Sequence, residues 1–366
     1  MPFTKEKRGG TINGIIFVAL VAAAATYIAE LAPIQNLGIS PLVVGIVIGI
    51  FYANTLHNHF PSAWESGIVF SGKKILRFAI VFYGFRITFQ QIAEVGVQGF
   101  MVSLLMLSST MVIGIWLGQK MFKMDRDTSI LNAAGASVCG AAAVLATEPV
   151  LKAEEHKTAV AVSMVVLFGT ISMFLYPVLY STIIEHATGF LHMDPKAFGI
   201  YVGGTIHEVA QVVAVPASVP GAPVDMANTA VIVKMTRVIM IAPMLIILGL
   251  ILSFTAKRSG GETGKLKLVI PWFAVYFIGM AGVNSLIHGY TLSAPQDTAM
   301  MIKNLIGNIN VIDTFLLTMA MTALGMGTRF AKFKGLGLAP IYTAGGMFVW
   351  LVVGGFLITK WVVATF

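Results

Sequence analysis

Charged side chains are scarce in this sequence. Asp, Glu, Lys and Arg make up 11% of its 366 residues, whereas typical soluble domains carry about 25%. Hydrophobic residues make up 57%, and about 20 consecutive apolar residues let a helix cross a membrane. The composition therefore excludes a soluble globular enzyme. It predicts a single all-α polytopic membrane unit with no room for a separate soluble domain.

Cysteine is nearly absent, since Cys139 is the only one. A single cysteine excludes an intrachain disulfide framework, and no CxxC pair or Cys/His cluster suggests a metal site. The sequence also lacks a Walker-type phosphate loop and gives no sign of an ATP-driven pump. We therefore expect neither a metal nor a cofactor.

Long apolar runs fill most of the chain. Eleven of them predict transmembrane helices, at about 11–31, 39–56, 67–89, 97–120, 128–149, 158–180, 195–215, 227–255, 267–287, 308–328 and 336–361. The first run follows a basic start, as in a signal peptide, but it is long enough to span and lacks a convincing cleavage site. We interpret it as a retained helix.

The net charge of +8 lies largely in the short connections between these runs. Basic residues there orient helices with the positive side in the cytoplasm, so nucleic-acid binding is not expected. Eleven crossings put four basic clusters on one side: Lys5, Lys7 and Arg8; Lys120, Lys123 and Arg126; Lys257, Arg258, Lys265 and Lys267; Arg329, Lys332 and Lys334. This predicts a cytoplasmic N-terminus, a periplasmic C-terminus, and a link of mixed charge at 152–157 on the outer side.

Two short patterns recur in the same order. P-x-x-x-G-I-x-[IV]-G begins at Pro41 and again at Pro195, and K-x-x-R begins at Lys74 and again at Lys234. Five spans per repeat would make the second repeat inverted, which is typical of secondary transporters. We predict a first repeat over 1–157, a second over 158–334, and an additional C-terminal span over 335–366.

The fifth predicted span carries a run of small residues around Ser137, Val138, Cys139 and Gly140. Glycine weakens a helix, and unwound backbone at membrane depth is tolerated only where protein or water surrounds it. A half-helix that begins near Ser137 would direct its N–H groups at an anion. The alternative is close helix packing through small residues.

The two K-x-x-R motifs place Lys74 with Arg77, and Lys234 with Arg237, one turn apart. Basic residues this deep in a span are by default functional. With Arg86, the basic residues in or near the membrane number five against two acidic ones, Glu208 and Asp313, and this excess favours an anionic substrate. Alternatively, the lysines snorkel and the arginines bind helix-end carbonyls or acids.

The seventh predicted span contains His207, Glu208 and Gln211, with His207 and Gln211 on one helical face. These side chains could couple proton movement to transport, or form an internal hydrogen-bonded brace. Glutamine replaces the second histidine of the zinc-protease HExxH pattern, which argues against zinc. Asp313 is a lone carboxylate early in the tenth span. It is interpreted either as the partner of an arginine or as a cation or proton site.

A resemblance is carried by Ser40-Pro41-x-x-x-Gly45, the two K-x-x-R patterns, and the segments Gly135-Ala136-Ser137-Val138-Cys139-Gly140 and His207-Glu208-Val209-Ala210-Gln211-Val212-Val213. Taken together, they resemble the YeiH-type family of bacterial proteins named as sulfate exporters. The likeness extends over essentially the whole chain. The family is grouped with cation–proton antiporters and anion transporters. It implies two five-helix inverted repeats, discontinuous crossing helices, a scaffold that often dimerises, and elevator-like alternating access.

We therefore expect a secondary transporter of a small anion, such as sulfate or sulfite, in a bacterial inner membrane. Its partners would be the anion, the lipid bilayer, a coupling proton or sodium ion, and a second copy of the chain. The expected substrate-binding residues are Ser137, Val138, Cys139, Gly140, Lys74, Arg77, Lys234 and Arg237; the coupling or gating residues are His207, Glu208, Gln211 and Asp313. A cation–proton exchanger is the alternative, and an intramembrane enzyme or receptor is a further one.

Overall fold

The computed structural model describes residues 7–35, 39–258, 271–333 and 337–366. Within these ranges the chain is helical and contains no strand, which confirms the all-α fold class. The first helices are α1 Arg8–Glu30, α2 Ala32–Gln35, α3 Pro41–Thr55, α4 Glu65–Phe70, α5 Leu76–Tyr83, α6 Phe89–Trp116, α7 Arg126–Ser137, α8 Ala141–Leu151 and α9 Glu155–Leu179. The remaining ones are α10 Pro195–Thr205, α11 Val209–Ala214, α12 Val224–Ile239, α13 Ile241–Arg258, α14 Trp272–Ser293, α15 Gln296–Gly327, α16 Leu338–Val349 and α17 Gly355–Thr365.

Tighter and wider helical turns join or extend several of these helices. The π-helical segments are Ser71–Ile75, Leu117–Met121, Tyr180–Ile184 and Trp350–Gly354. The 3-10 segments are His57–His59, Ser62–Trp64, Gly84–Arg86, Gly189–Leu191, Pro216–Ser218 and Phe330–Phe333.

Six described helices, counted with such extensions, are long and apolar enough to cross a membrane. They are Arg8–Glu30, Phe89–Met121, Glu155–Ile184, Val224–Phe254, Gln296–Gly327 and Leu338–Thr365. Shorter apolar helices occupy Pro41–Thr55, Ala141–Leu151 and Val209–Ser218. The chain is thus a membrane protein by length and composition of its helices, while the inverted repeats stay a prediction.

The chain divides into two compact units that are interleaved in sequence. Unit 1 comprises 1–94, 213–228 and 273–331, and unit 2 comprises 95–212, 229–272 and 332–366. Each unit combines several separate segments of the chain, whereas each predicted repeat is one continuous range. The division therefore does not test the repeats. Lys5, Lys265, Lys267 and Lys334 of the predicted basic clusters lie outside the described residues.

In unit 1, helices α3 and α15 pack at close range through glycines. A Cβ added to Gly49 would collide with the carbonyl of Thr322, and one added to Gly325 would collide with the carbonyl of Ile46. These glycines let two helix backbones approach each other, as small residues do in membrane helix pairs. The glycine pattern after Pro41 thus serves packing in unit 1.

In unit 2, α7 and α8 form a re-entrant hairpin. The Lys157 ammonium lies 3.2 Å from Asp125 and 3.6 Å from Asp127, although these residues flank the predicted span 128–149 on opposite ends. A single crossing would separate its two ends by about 30 Å. A Cβ on Gly135 would contact both Val144 and Val165, so the returning helix lies beside α7.

Two predictions about this segment are therefore wrong. Residues 128–149 do not cross the membrane once, and the link at 152–157 lies on the same side as Asp125. The physical reason is length, because at 1.5 Å per residue the 12 residues of α7 reach only about 18 Å before the chain turns. Hydropathy detects an apolar run of 22 residues but not a turn inside it.

The base of this hairpin is fixed by Asp125, which caps α7. Its carboxylate accepts a hydrogen bond of 3.1 Å from the Thr128 backbone N–H. Burial raises the pKa of Asp125, but the hydrogen bonds from Thr128 and Lys157 outweigh burial and lower that pKa below its usual value. The ionised cap also complements the positive end of the helix dipole.

Candidate functional site

The tip of the hairpin is a helix break in unit 2. Helix α7 ends at Ser137, α8 begins at Ala141, and the predicted break is therefore present. Gly140 turns the chain there with φ 75° and ψ −136°, a region that only glycine enters without strain. A Cβ at this position would also come within 2.6 Å of the Glu208 side chain. Gly140 is thus required both by conformation and by space.

A second break interrupts the predicted seventh span. Helix α10 ends at Thr205, and α11 begins at Val209, so His207 and Glu208 lie on irregular backbone between them. The prediction that His207 and Gln211 share one helical face is therefore wrong. Sequence periodicity did not reveal the interruption, although two glycines, Gly203 and Gly204, precede it.

Lys234 on α12 joins the two breaks. Its ammonium donates hydrogen bonds to three backbone carbonyls, those of Val138 at 2.7 Å, Ile206 at 2.8 Å and His207 at 2.7 Å. An ammonium has three donors, so all of them are used. The side chain is fully buried.

Arg237 lies one turn further along α12 and also donates hydrogen bonds to backbone carbonyls, those at the ends of two helices. Its Nε donates to the Ser137 carbonyl at 2.6 Å, Nη1 to Gly204 at 2.8 Å, and Nη2 to Ala136 at 2.7 Å. The last carbonyls of a helix have no intrahelical partner and carry the negative end of its dipole. Lys234 and Arg237 therefore satisfy and neutralise the carbonyl ends of α7 and α10 together.

Polar side chains at the second break surround this cation pair. Gln211 Oε1 accepts a 3.1 Å hydrogen bond from the Glu208 N–H, which is the reciprocal half of a capping box at the start of α11. His207 is 3% exposed. Among the described residues, His207 Nδ1 and Gln211 Nε2 have no hydrogen-bond partner. Buried polar atoms of this kind call for a water or a ligand.

The start of α8 faces the same region. The N–H groups of Ala143 and Val144 both bond to the Gly140 carbonyl, whereas Ala141 and Ala142 are half-buried and lie in the first turn, whose N–H groups have no intrahelical acceptor. These donors are directed toward any anion at the tip. The Ser137 hydroxyl is used locally, donating to the Ala134 carbonyl at 3.3 Å.

Three of the predicted site residues lie in unit 1. Lys74 and Arg77 are exposed, and the Arg77 guanidinium lies 5.9 Å from the centre of the Phe273 ring. Asp313 is buried and pairs with Arg86 at 3.1 Å. The first K-x-x-R motif therefore contrasts with the second, whose Lys234 and Arg237 are 0% exposed.

Unit 2 thus holds Ser137, Val138, Cys139, Gly140, Lys234, Arg237, His207, Glu208 and Gln211 around the two breaks. Two buried cations face one partly buried carboxylate, so the cluster carries an excess of one positive charge when Glu208 is ionised. No group of three or more His, Cys, Asp and Glu side chains that could hold a metal ion occurs in the described ranges. The arrangement can attract and bind a small anion.

The chain also resembles known proteins over most of its length. The family model described as conserved hypothetical protein 698 matches residues 13–344. A UPF0324 membrane protein of Pseudomonas putida is 46% identical over 352 residues, 96% of this chain and 93% of that protein. A UPF0324 membrane protein of Bordetella pertussis is 47% identical over 349 residues, which are 95% of this chain and 94% of that protein. The UPF0324 inner membrane protein YeiH of Escherichia coli K12 is 42% identical over 344 residues, which are 94% of this chain and 92% of that protein.

Proposed function

Because this chain belongs to the UPF0324 membrane protein family, which includes YeiH, we propose that it is a secondary-active transporter of a small anion. The expected substrates are sulfur oxyanions such as sulfate and sulfite, and the expected direction is export. It is proposed to act on its substrate by movement alone, without enzymatic chemistry or a cofactor.

One observation carries the proposal. Lys234 and Arg237 are fully buried between two broken helices, and six backbone carbonyls surround them. Burying two cations is costly unless each is paired or fully hydrogen-bonded. Placed beside unpartnered polar atoms, they provide the positive field that a desolvated anion needs.

Lys234 acts on the anion through its field, because its three donors are already used, while Arg237 uses three of its five donors on carbonyls. Direct contacts are proposed from the segment Ser137–Gly140 and from the first turn of α8. The N–H groups of that first turn suit an oxyanion, whereas those of Val138 and Gly140 already donate to the carbonyls of Ala134 and Gly135. His207, Glu208 and Gln211 are proposed to serve coupling or gating, with a proton or sodium ion as the coupling partner. Transporters of the inverted-repeat type bind near the midplane at such broken helices.

The remaining parts of the proposal follow the family resemblance. They are two inverted repeats, elevator-like alternating access, a homodimer, and an inner-membrane location with a cytoplasmic N-terminus. An elevator movement requires two bodies, and the two compact units are consistent with that requirement. The periplasmic C-terminus was counted from eleven crossings that included the hairpin, so reporter fusions at the C-terminus are needed to test it.

Uptake into proteoliposomes tests the function. The purified chain is reconstituted, and labelled sulfate, sulfite and a carboxylate are offered with and without pH and sodium gradients. We expect saturable uptake of a sulfur oxyanion that protein-free liposomes lack. The variant Lys360→Gln is a control for general damage, because Lys360 is partly exposed and donates to the carbonyl of exposed His192 in unit 2, away from the two breaks in sequence.

A cation–proton exchanger is the second candidate. Glu208 lies at the helix break, within contact distance of Gly140, and a carboxylate there could bind a cation. The same liposomes loaded with a pH-sensitive dye distinguish the two functions. Sodium-dependent proton movement without flux of any anion would support the exchanger and contradict the anion transporter.

A further inference from the structure

Unit 1 contains a cavity of about 240 Å³ that the transport site in unit 2 does not include. Water in the liquid occupies about 30 Å³ per molecule, so the space fits a small organic molecule. Its polar lining is Ser40, Tyr83, Arg86, Asn228 and Thr314, and its apolar lining is Pro41, Leu42, Val213, Pro216, Ala217, Ala222, Pro223, Val224, Ala227 and Leu317.

Arg86 lines this cavity with its guanidinium partly exposed. Its Nη2 donates to the Asn310 carbonyl at 2.7 Å, Asp313 Oδ2 at 3.1 Å and Thr314 Oγ1 at 2.8 Å. In the part of the chain that the structure describes, Arg86 Nε is buried without a hydrogen-bond partner, and 24% of the side chain is exposed. A charged donor therefore remains for an acceptor in the cavity.

Neighbouring residues hold Arg86 in this position. The Arg86 guanidinium lies over the Tyr83 ring, 4.9 Å from its centre, and the Asn228 amide donates to the Arg86 carbonyl at 3.2 Å. Asn228 is 3% exposed, and its Oδ1 has no partner in the part of the chain that the structure describes. The polar end of the cavity is thus preorganised and still incompletely satisfied.

The rest of the lining is apolar and stiff. Pro41, Pro216 and Pro223 contribute rings with a fixed backbone φ, and three alanines also line the cavity. Pockets with a mostly apolar lining and a few placed polar groups are typical ligand sites. The lining matches a ligand with one acceptor head group and a short hydrocarbon body.

Charge balance then decides how such a ligand binds. Arg86 is already neutralised by buried Asp313, so an added carboxylate would leave one excess negative charge in an apolar site. An unpaired buried charge is costly, and the usual solution is neutralisation by a proton.

The other ionisable groups of unit 1 do not replace that proton. Among the described residues that line the cavity, Tyr83 is the one titratable group besides Arg86. Asp225 is exposed and faces Gln91 at 3.4 Å. Glu65 on α4 pairs with Arg329, which follows the C-terminal end of α15. Tyr52 packs in a core cluster with Ile68 and Met326. Lys73 and Lys74 are exposed, and the Arg77 guanidinium lies 5.9 Å from the centre of the Phe273 ring.

We propose that this cavity binds a small aliphatic carboxylate, with the head group on Arg86 and the chain on the proline–alanine wall, and that one proton is bound with each carboxylate. The proton comes from solution and resides on the Asp313–ligand pair. This inference is independent of the transport proposal, because it concerns binding in unit 1 and needs no flux.

Isothermal titration of the detergent-purified full chain with butyrate tests it. Titrations near pH 7 in two buffers of different ionisation enthalpy give both the affinity and the number of protons taken up. We expect about one proton per butyrate. Arg86→Gln should weaken binding at least tenfold, since a hydrogen bond to a charged group contributes about 1.5–3 kcal/mol. Asp313→Asn should bind butyrate without proton uptake.

Two further variants keep the outcome decisive. Arg8→Gln removes an exposed arginine of the same unit and should bind like the native chain. Ala217→Met fills the cavity without touching the ion pair and should abolish binding even if Arg86→Gln does not fold. Native-like butyrate binding by Ala217→Met, displacement of butyrate by sulfate, or zero proton uptake by the native chain would each overturn the proposal.

Discussion

At the scale of single residues, the buried pair Lys234 and Arg237 shows what sequence can and cannot predict. Both were predicted as functional from their depth in an apolar span and their spacing. Their partners were not predictable, because backbone carbonyls become available only where helices end, and the ends of α7 and α10 depend on tertiary structure. The matching pair Lys74 and Arg77 has the same spacing but is exposed, so the motif alone does not determine burial.

Replacement of Lys234 tests the carbonyl contacts. Lys234→Met removes three hydrogen bonds and leaves buried carbonyls unsatisfied, each at a cost of about 1–3 kcal/mol. We expect loss of about 3 kcal/mol or more, seen as a lower thermal midpoint in detergent. Exposed Lys74→Met should change stability by less than about 0.5 kcal/mol. Equal midpoints for the two variants would show that the contacts contribute nothing.

Gly140 allows strain and crowding to be separated. Gly140→Ala places a side chain at φ 75° and ψ −136°, a glycine-only region that costs about 1–3 kcal/mol, and also pushes a Cβ against Glu208. Gly189→Ala has a similar φ of 71° but nothing within 4 Å, so it carries the strain alone. We expect Gly140→Ala to lower the thermal midpoint of unfolding more than Gly189→Ala does, and to abolish anion uptake. Matching effects would argue against a crowded helix tip.

At the scale of elements, the sequence predicted the position of one helix break correctly but did not predict the direction of the helix that follows it. The small residues from Ser137 to Gly140 indicated the break between α7 and α8, and the structure confirms it. The return of α8 was missed, since apolarity is the same for a crossing and for a hairpin. The mixed charge of the link at 152–157, unusual for an outer link, was the signal in the sequence that could have exposed the error.

Labelling of introduced cysteines tests the hairpin. In a Cys139→Ser background, single cysteines at Lys123 and Ala153 should react with an impermeant maleimide from the same side of the membrane. A cysteine at Thr188, beyond the long helix α9, should react from the opposite side. Reaction of positions 123 and 153 from opposite sides would restore the single crossing and remove the hairpin.

At the scale of the whole molecule, composition was enough to predict an all-helical membrane protein but not to predict how its segments are divided between the two units. Scarce charge and long apolar runs predicted an all-helical membrane protein, and the family likeness extended over nearly the whole chain. The interleaved units were not visible in sequence, because segments 213–228 and 273–331 join unit 1 through contacts distant along the chain. Asp313 was predicted as an arginine partner, among other roles, but only the fold identifies Arg86 as its partner.

The central claim is that the buried pair on α12 creates the anion site of a transporter. Counterflow of labelled sulfate or sulfite into proteoliposomes preloaded with the unlabelled anion tests it most directly, with Arg237→Gln compared with its exposed counterpart Arg77→Gln and with protein content matched. The account predicts counterflow for the native chain and loss of at least about tenfold for Arg237→Gln, as expected when a charge-assisted network is broken. Counterflow by Arg237→Gln equal to that of the native chain, or its absence for both anions in the native chain, would contradict the account.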